Sequence, residues 1–355
     1  MNSIFLNDVV VRANRRRSDA LLGPLSLQVL PGKTLVLCGE SGAGKTLLIE
    51  LLAGLRRPDA GSVRLGEHEL SRIAPAKRGV ALATQSAALF DHLDVERNIG
   101  FAMREANSES LHAAAAIADC AALLASAPSR AGDLSGGERR RVALAKALAA
   151  DAPILLLDEP FEGLDPLTHQ RVRLALGAHL KTRNGITVIA LHDRRDVFAL
   201  ADSIALFANG ALLQHGAPDD LLHHPAHSEV LMQLHDPAPA RFDVTTTADG
   251  VQLGDEHINV AHNLAPSTPA TLILLAFTAR IVESTTQPWR VVALEKTCTG
   301  NEAIVQHTMH DDTDAPPLLR VALPANEPAI NVSQCVALAV DTQQAHVFSQ
   351  NGDNE

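Results

Sequence analysis

Four short stretches in the first 235 residues are apolar on both faces of an extended chain. They are TLVLCG at 34–39, GVALATQ at 79–85, PILLLDEP at 153–160 and ITVIALHD at 186–193. Such strands must be covered on both sides, as they are in a parallel sheet. Stretches of helical pattern, such as KTLLIELLAGL at 45–55 and ERRRVALAKALAA at 138–150, lie between them. The alternation predicts an α/β fold in which helices connect the strands of a parallel sheet.

Residues 104–130 are rich in alanine, follow a helical pattern and carry no strand signal. They fall between two of the predicted core strands. We therefore expect a helical subdomain, spanning about 86–150, inserted into the α/β domain.

The pattern changes after DPAPA at 236–240, which is typical of a linker. Strand-like runs separated by turn or polar residues then follow, with no long helical pattern between them. The runs are TLILLAF at 271–277, RVVALEK at 290–296, AIVQHTM at 303–309, LLRVALP at 318–324 and CVALAVD at 335–341. The sequence predicts a first domain at 1–235 and a small all-β domain, a barrel or a sandwich, at 236–355.

Composition narrows the class of protein. The 355 residues carry a net charge of −11, which disfavours nucleic acid as a partner because phosphate binding favours a basic surface. No apolar run approaches the ~20 residues of a membrane span, and the N-terminus lacks the zones of a signal peptide. The protein is expected in the cytosol, unless a partner holds it at a membrane. The four cysteines, Cys38, Cys120, Cys298 and Cys335, fit no metal or redox spacing and are expected to be reduced.

The stretch GESGAGKT at 39–46 fits the phosphate-binding pattern G-x-x-x-x-G-K-[ST] between a predicted strand and a predicted helix. Glycines let the backbone curl so that several N–H groups face one anion, and the helix N-terminus adds positive charge. Lysine can reach terminal phosphates, and the threonine hydroxyl can ligate Mg²⁺. The alternative is a glycine-rich turn with a chance lysine. The residues are Gly39, Glu40, Ser41, Gly42, Ala43, Gly44, Lys45 and Thr46.

Two carboxylates follow the apolar run of PILLLDEP. Asp158 ends the predicted strand, where it can hold Mg²⁺ through water, and Glu159 is suited to polarise an attacking water. In isolation, this pair is often only a strand end that meets solvent. Beside a phosphate-binding loop, the catalytic interpretation is favoured.

A second candidate anion site lies in LSGGERRR at 134–141. Ser135 offers a hydroxyl, Gly136 and Gly137 offer backbone N–H groups, and a predicted helix begins there. The alternative is a helix N-cap without a ligand.

Together, GESGAGKT, Gln85, LSGGERRR, ILLLDEP, EGLD and LHD resemble the nucleotide-binding subunit of ABC transporters over residues 1–235. In the tail, VALEKTCTGNEAIV and VALPANEPAINVSQCVALAVDTQQAHVF resemble the C-terminal TOBE or MOP-like domain of bacterial importer ATPases. That class serves sugars, glycerol phosphate, polyamines, iron or oxyanions.

The resemblance implies an ABC-type P-loop fold, with ATP and Mg²⁺ bound, in a head-to-tail homodimer. It implies that the signature loop of one subunit grips the ATP held by the other, through Leu134, Ser135, Gly136, Gly137 and Glu138. The implied Mg²⁺ ligands are Thr46, Gln85 and Asp158. The implied catalytic residues are Glu159 and His192, where His192 contacts the γ-phosphate and orients Glu159. Asp165 would reach across the dimer interface.

Two departures from the family pattern matter. An aromatic residue that stacks on adenine is expected near Ala13, but the chain has no tyrosine. Arg12 or Arg15 could substitute by stacking, although a solvated loop is the favoured interpretation of the arginines at 15–17. Glu138 stands where the family often has glutamine, which keeps the reach but adds a negative charge near a phosphate.

The favoured hypothesis is an ATP hydrolase subunit of a bacterial ABC importer. As a homodimer, it would lie at the cytoplasmic face of the inner membrane under two permease subunits, fed by a periplasmic solute-binding protein. The alternative is a regulatory or solute-sensing ABC protein with weak ATPase activity. Basal hydrolysis below detection, with tight solute binding by residues 240–355 alone, would favour that alternative. The single cassette and acidic charge speak against a DNA-repair or translation ABC ATPase.

Overall fold

The structure is a computed structural model of the chain. It describes residues 2–12, 20–103, 107–125, 130–235, 237, 239–276, 279–282, 289–296, 301–307, 317–323, 333, 335–341 and 345–349. By internal contacts the chain divides into two compact units, Met1–Pro218 and Asp219–Glu355, and each is described by itself.

The first unit contains strands and helices in alternation. Its strands are β1 (Ile4–Arg12), β2 (Ala20–Val29), β3 (Thr34–Gly39), β4 (Ala60–Leu65), β5 (His68–Glu69), β6 (Val80–Ala83), β7 (Ile154–Asp158), β8 (Ile186–Leu191), β9 (Ser203–Ala208) and β10 (Ala211–Gly216). Its α-helices are α1 (Lys45–Ala53), α2 (Val95–Gly100), α3 (Ser108–Ile117), α4 (Ala121–Ala125), α5 (Gly136–Ala149), α6 (Pro166–Thr182) and α7 (Arg194–Leu200). Short 3-10 turns lie at Leu70–Arg72, Pro75–Lys77 and Ala131–Asp133.

A six-stranded sheet forms the centre of this unit, in the order β10-β9-β3-β8-β7-β6. All neighbouring strands pair in parallel except β10 and β9, which are antiparallel. Every residue of β3, β7 and β8 is buried, as expected for strands that are apolar on both faces. Because the strands run in parallel, the segments that follow β3, β6, β7 and β8 meet at one edge of the sheet.

A second sheet was not predicted. It is antiparallel, in the order β2-β1-β4-β5. Alternate residues of β2, namely Leu25, Leu27 and Val29, are buried in the same apolar cluster as α1 and the central sheet. This alternation is the pattern of a strand with one solvated face.

The range predicted for the helical subdomain, about 86–150, contains α2, α3, α4 and α5. Helix α5 packs against α2 and α3, and its buried face includes Val142, Leu144 and Leu148. Parts of the predicted stretch, at 104–106 and 126–129, lie outside the described residues.

The second unit contains ten antiparallel strands among its described residues. They are β11 (Ala240–Thr246), β12 (Val251–Leu253), β13 (Glu256–Ile258), β14 (Pro269–Leu274), β15 (Ala279–Val282), β16 (Trp289–Lys296), β17 (Asn301–His307), β18 (Leu318–Leu323), β19 (Cys335–Val340) and β20 (Ala345–Ser349). They form two five-stranded sheets, β13-β12-β11-β14-β20 and β15-β19-β16-β17-β18. One apolar cluster takes residues from both sheets, including Phe242 and Trp289, whose rings meet edge to face at 5.5 Å.

Two short helices precede these strands, α8 (Pro218–His223) and α9 (Ser228–Leu234). The boundary between the two compact units lies at Pro218/Asp219, so α9 and nearly all of α8 belong to the second unit. The first domain predicted from the sequence, 1–235, includes both helices. The predicted limits of 1–235 and 236–355 remain a prediction about functional domains. In the described part of the chain, every helix is too short or too polar to cross a bilayer.

Candidate functional site

The loop between β3 and α1 has the backbone shape of an anion cradle. Gly39, Gly42 and Gly44 all have positive φ, at 152°, 83° and 106°. A Cβ at Gly39 would overlap the carbonyl oxygen of Phe207, and a Cβ at Gly44 would lie 2.9 Å from Leu22 Cδ1. Conformation favours glycine at both positions, and at Gly39 the space beside the Phe207 backbone also requires it.

Lys45, the first residue of α1, is directed back into this loop. Its side chain is buried, and Nζ donates hydrogen bonds to the carbonyl oxygens of Gly39 at 2.6 Å and Glu40 at 3.1 Å. The ammonium group is thus held within the curled backbone, beside the N-terminus of a helix. An anion in the loop would meet this charge and the helix dipole together.

Asp158 ends β7 and is buried, with 5% of its surface exposed. The Thr46 side chain makes a hydrogen bond to its carboxylate. Burial raises the pKa of Asp158 above its ordinary value, while the Thr46 hydrogen bond and the charge of Lys45 act in the opposite direction. Two of the three predicted Mg²⁺ ligands, Thr46 and Asp158, are therefore in direct contact.

Glu159 has a backbone conformation that is rare for a residue with a side chain, with φ at 48°. Its N–H donates to the carbonyl oxygen of Ala190 in β8 at 3.1 Å. Its Oε2 lies 3.5 Å from Nδ1 of His192, which follows β8. The structure thus brings together the two predicted catalytic side chains, and the unusual turn at Glu159 is of the kind that concentrates at functional sites.

The signature loop, Leu134 to Glu138, runs into helix α5, and Ser135 is the N-cap of that helix. Ser135 Oγ accepts from the N–H of Glu138 at 3.4 Å, and Oε2 of Glu138 accepts from the N–H and the hydroxyl of Ser135 at 2.8 and 2.7 Å. The hydrogen bonds that Ser135 donates lower the pKa of Glu138, and the one from the Ser135 side chain has the larger effect. The N-cap considered as an alternative is present, and the Glu138 carboxylate occupies the Ser135 donors predicted for a phosphate.

The signature loop is exposed at its centre and half-buried on either side. Ser135 and Gly136 are exposed, and Leu134 and Gly137 are half-buried. Nothing lies within 4 Å of a Cβ built at Gly136, whereas one at Gly137 would lie 3.5 Å from the Gly163 carbonyl oxygen. Open space around Gly136 is compatible with approach of a ligand or of another chain.

Gln85 follows β6 and is exposed. Its Nε2 donates to Oε2 of Glu162 at 2.7 Å. Glu162 also forms an ion pair with Arg140 of α5, with Nη2 at 3.8 Å from Oε2. Neither Glu162 nor Arg140 was predicted as a site residue. The sequence offered one signal for Glu162, since it is an acidic residue three positions after Glu159. It offered none for the contacts of Glu162 with Gln85 and Arg140, because these two residues are distant in sequence.

Asp165 is the N-cap of α6 and accepts from the N–H groups of Leu167 and Thr168, each at 3.1 Å. Hydrogen bonds from Thr168 lower the pKa of this exposed carboxyl, and the one from the Thr168 side chain has the largest effect. This is the local role of a turn and N-cap residue, and the interface role remains a prediction. The position near Ala13 predicted to lack an adenine-stacking ring lies outside the described residues.

Comparisons with known proteins show which chains this one is similar to. Residues 22–162 match the ABC transporter family. A sulfate/thiosulfate import ATP-binding protein of Chromobacterium violaceum is 38% identical over 221 residues, which are 61% of this chain and 60% of that protein. An Fe(3+) ions import ATP-binding protein of Pseudomonas fluorescens is 35% identical over 226 residues, 62% of this chain and 64% of that protein.

A spermidine/putrescine import ATP-binding protein of Ruegeria pomeroyi is 36% identical over 209 residues, 58% of this chain and 57% of that protein. The match thus spans about three fifths of the length of these relatives. The structure of a bacterial Atm1-family ABC exporter with ATP bound is also similar, with a TM-score of 0.57 and 28% identity over 63% of this chain and 40% of that one. The prediction of an ABC-type P-loop fold is confirmed. Residues 22–162 therefore match the ABC transporter family, and the chain is similar to import ATP-binding proteins over about three fifths of its length.

Proposed function

We propose that this protein is the ATP-binding and ATP-hydrolysing subunit of a bacterial ABC importer. The observation that carries the proposal is the pairing of Glu159 with His192 at 3.5 Å, next to the contact between Thr46 and Asp158. A phosphate cradle, an oxygen-rich metal position and a carboxylate with an orienting histidine thus lie at one edge of the sheet. These are the parts that phosphoryl transfer to water requires.

The loop at 39–46 would bind the phosphates of ATP through its backbone N–H groups and Lys45. The Lys45 ammonium group already lies inside the loop, held by the carbonyl oxygens of Gly39 and Glu40. Binding would exchange these carbonyl partners for phosphate oxygens. The lysine is charged in both sets of hydrogen bonds, but phosphate oxygens carry negative charge and carbonyl oxygens do not, so this exchange favours the phosphate.

The donor set also fits Mg²⁺, which prefers a few carboxylate, hydroxyl or carbonyl oxygens together with substrate phosphates. Thr46, Asp158 and Gln85 would hold the ion. When bound, Mg²⁺ would neutralise charge on the phosphate oxygens. The buried position of Asp158 keeps this carboxylate fixed relative to Thr46.

Glu159 would act as the general base that takes a proton from the attacking water. His192 would orient Glu159 through the contact of Nδ1 with Oε2 and would present its other ring nitrogen toward the γ-phosphate. The proposal assigns no covalent intermediate to the protein.

We also infer that two copies of the chain form a head-to-tail homodimer. Leu134, Ser135, Gly136, Gly137 and Glu138 of one copy would grip the ATP bound by the other. The exposed Ser135 and the open space around Gly136 favour this role. Asp165, exposed at the start of α6, would contact the other copy. Dimerisation would then depend on the γ-phosphate and be lost after hydrolysis.

The relatives that support an importer are described as import ATP-binding proteins for sulfate or thiosulfate, Fe(3+) ions, and spermidine or putrescine. We propose two integral membrane permease subunits as partners and a periplasmic solute-binding protein upstream, with this chain peripheral at the cytoplasmic face. The substrate class proposed is sugar, glycerol phosphate, polyamine, iron or oxyanion. The antiparallel second unit would be a TOBE or MOP-like domain.

The test is Glu159→Gln. This variant should bind ATP and accumulate as an ATP-bound dimer, while phosphate release falls about 10²–10⁴-fold, the usual contribution of a general base. Phosphate release and dimer mass by light scattering measure the two effects. Glu67→Gln, in the exposed turn between β4 and β5, is the control and should behave as wild type. Retention of most activity by Glu159→Gln would overturn the assignment of the base.

A further inference from the structure

Glu162 lies where three segments of the proposed ATPase meet. Its Oε2 accepts from Nε2 of Gln85 at 2.7 Å and pairs with Nη2 of Arg140 at 3.8 Å. Gln85 follows β6, Glu162 follows β7, and Arg140 lies in the first turns of α5. One carboxylate therefore connects the segment of a predicted metal ligand with the helix that begins at the signature loop.

The local backbone fixes where this carboxylate lies. The N–H of Glu162 donates to the carbonyl oxygen of Glu159 at 3.2 Å, which closes a turn directly after the proposed base. Gly163 follows with φ at 71°, and a Cβ there would overlap Nη1 of Arg140. The glycine thus lets the Arg140 guanidinium approach the turn closely, where it can meet Glu162.

The chemistry of this contact determines the orientation of the Gln85 amide. An ionised carboxylate only accepts hydrogen bonds, so the NH₂ group of Gln85 must face Glu162. The carbonyl oxygen Oε1, on the other side of the amide, is then free to face a cation. Carboxylates commonly orient metal ligands in this way, and their removal weakens metal affinity.

We propose that Glu162 is a positioning residue that orients the Gln85 amide so that its carbonyl oxygen faces Mg²⁺, with Arg140 holding Glu162 in place. This inference rests on the proposed ATPase function. It assigns a role to Glu162 and Arg140 that neither the motifs nor the comparisons give.

A purely structural brace is the competing explanation, because Glu162 also ties α5 to the turn after β7. The two explanations differ in what depends on the metal. A brace would affect nucleotide binding with and without Mg²⁺ alike, whereas an orienting residue would affect only the part of the affinity that Mg²⁺ adds. The effect of an orienting residue must also disappear when Gln85 is absent.

The experiment is a double-mutant cycle with Glu162→Ala, Gln85→Ala and the combined variant. Calorimetry would measure the affinity of each for a non-hydrolysable ATP analogue in Mg²⁺ and in EDTA. We expect Glu162→Ala to reduce the gain from Mg²⁺ about tenfold, at the lower end for a residue that supports a metal ligand. Its affinity in EDTA should stay unchanged, and in the Gln85→Ala background the substitution should have no further effect. Glu162→Gln retains an acceptor oxygen, so it should lose less of the affinity gained from Mg²⁺ than Glu162→Ala does.

Asp91→Asn is the matched control, since it removes the charge of a carboxylate that pairs with the neighbouring Arg139 of α5 at 2.7 Å. Its Mg²⁺ dependence should equal that of wild type. Equal losses in Mg²⁺ and EDTA for Glu162→Ala, additive effects in the double variant, or an unchanged Mg²⁺ dependence would each overturn the inference. Failure of the proposed function would appear differently, as a wild-type chain that binds no analogue or gains nothing from Mg²⁺.

Discussion

The two predicted anion-binding loops of the first unit hold side chains of opposite charge. In the loop at 39–46, a buried cation, Lys45, is bonded to backbone carbonyl oxygens of the loop. In the signature loop, a carboxylate, Glu138, is bonded to the exposed donors of Ser135. The first loop presents positive charge to an incoming phosphate, whereas the second already holds an internal negative charge.

This difference suggests an order of events. A phosphate entering the first loop meets an attractive charge and backbone N–H groups that already curl around one point, so we expect one chain to bind the nucleotide alone. A phosphate approaching the signature loop must displace Glu138 or share Ser135 with it, and like charges oppose that approach. The second contact should therefore be weaker and form later.

The largest effect should come from Lys45→Ala. The substitution removes the buried cation and with it several charge-assisted hydrogen bonds to phosphate, each of about 1.5–3 kcal/mol. Nucleotide affinity measured by calorimetry should fall at least about 100-fold. Lys181→Ala, which removes an exposed charge from α6, is the control and should leave the affinity unchanged. Binding within a few-fold of wild type would show that the first loop does not depend on its cation.

A smaller and different effect should come from Ser135→Ala. A single chain should bind nucleotide as wild type does, but ATP-dependent dimerisation should weaken about tenfold or more through loss of the serine contact at both sites. The variant should also lose about 1 kcal/mol of stability, because an N-cap is removed. Light scattering and thermal unfolding measure the two effects.

Asn107→Ala provides the matched control, since Asn107 caps α3 by accepting from Glu109 and Ser110. Asn107→Ala should lower the free energy of unfolding by about as much as Ser135→Ala does, without changing ATP-dependent dimerisation. If both variants weakened the dimer equally, loss of a cap alone would explain the result, and the contact with the second chain would be refuted.

The smallest effect should come from Glu138→Gln, and it should have the opposite sign. Removing the negative charge from the signature loop should strengthen ATP-dependent dimerisation about three- to fivefold, since a phosphate no longer competes with a carboxylate. Helix stability should fall by a few tenths of a kcal/mol, because an acidic residue is lost from the first turn. Sedimentation at several ATP concentrations would detect the change.

Glu109→Gln removes an acidic residue from the first turn of α3 and is the control for the helix effect. It should leave dimerisation unchanged. A dimer weakened by Glu138→Gln would mean that the carboxylate assists the grip rather than opposing it.

Much of the central sheet was predictable because its strands are apolar on both faces. The runs at 34–39, 153–160 and 186–193 each contain a fully buried strand, and the glycine pattern at 39–46 predicted the curled backbone between β3 and α1. The antiparallel sheet of β1, β2, β4 and β5 was missed, although the alternation of Leu25, Leu27 and Val29 was readable. The Ser-x-x-Glu spacing of Ser135 and Glu138 also carries the signature of a capping box.

Other contacts could not be predicted from local pattern. Gln85 and Glu162 are 77 residues apart in the chain, and only the parallel pairing of β6 with β7 brings their segments together. The pairing of Glu159 with His192 similarly depends on the adjacency of β7 and β8. Sequence patterns indicated which residue types were present, but the order of the strands decided which of them meet.

The left-handed backbone at Glu159 has a practical consequence for protein engineering. A glycine would adopt φ near 48° without the steric cost that a glutamate bears there, so selection for heat resistance alone could enrich variants that have lost this carboxylate. Proteins selected in this way would fold well but would lack the carboxylate proposed as the general base. Any thermostabilised descendant of this chain should therefore be sorted for turnover in parallel with its melting temperature.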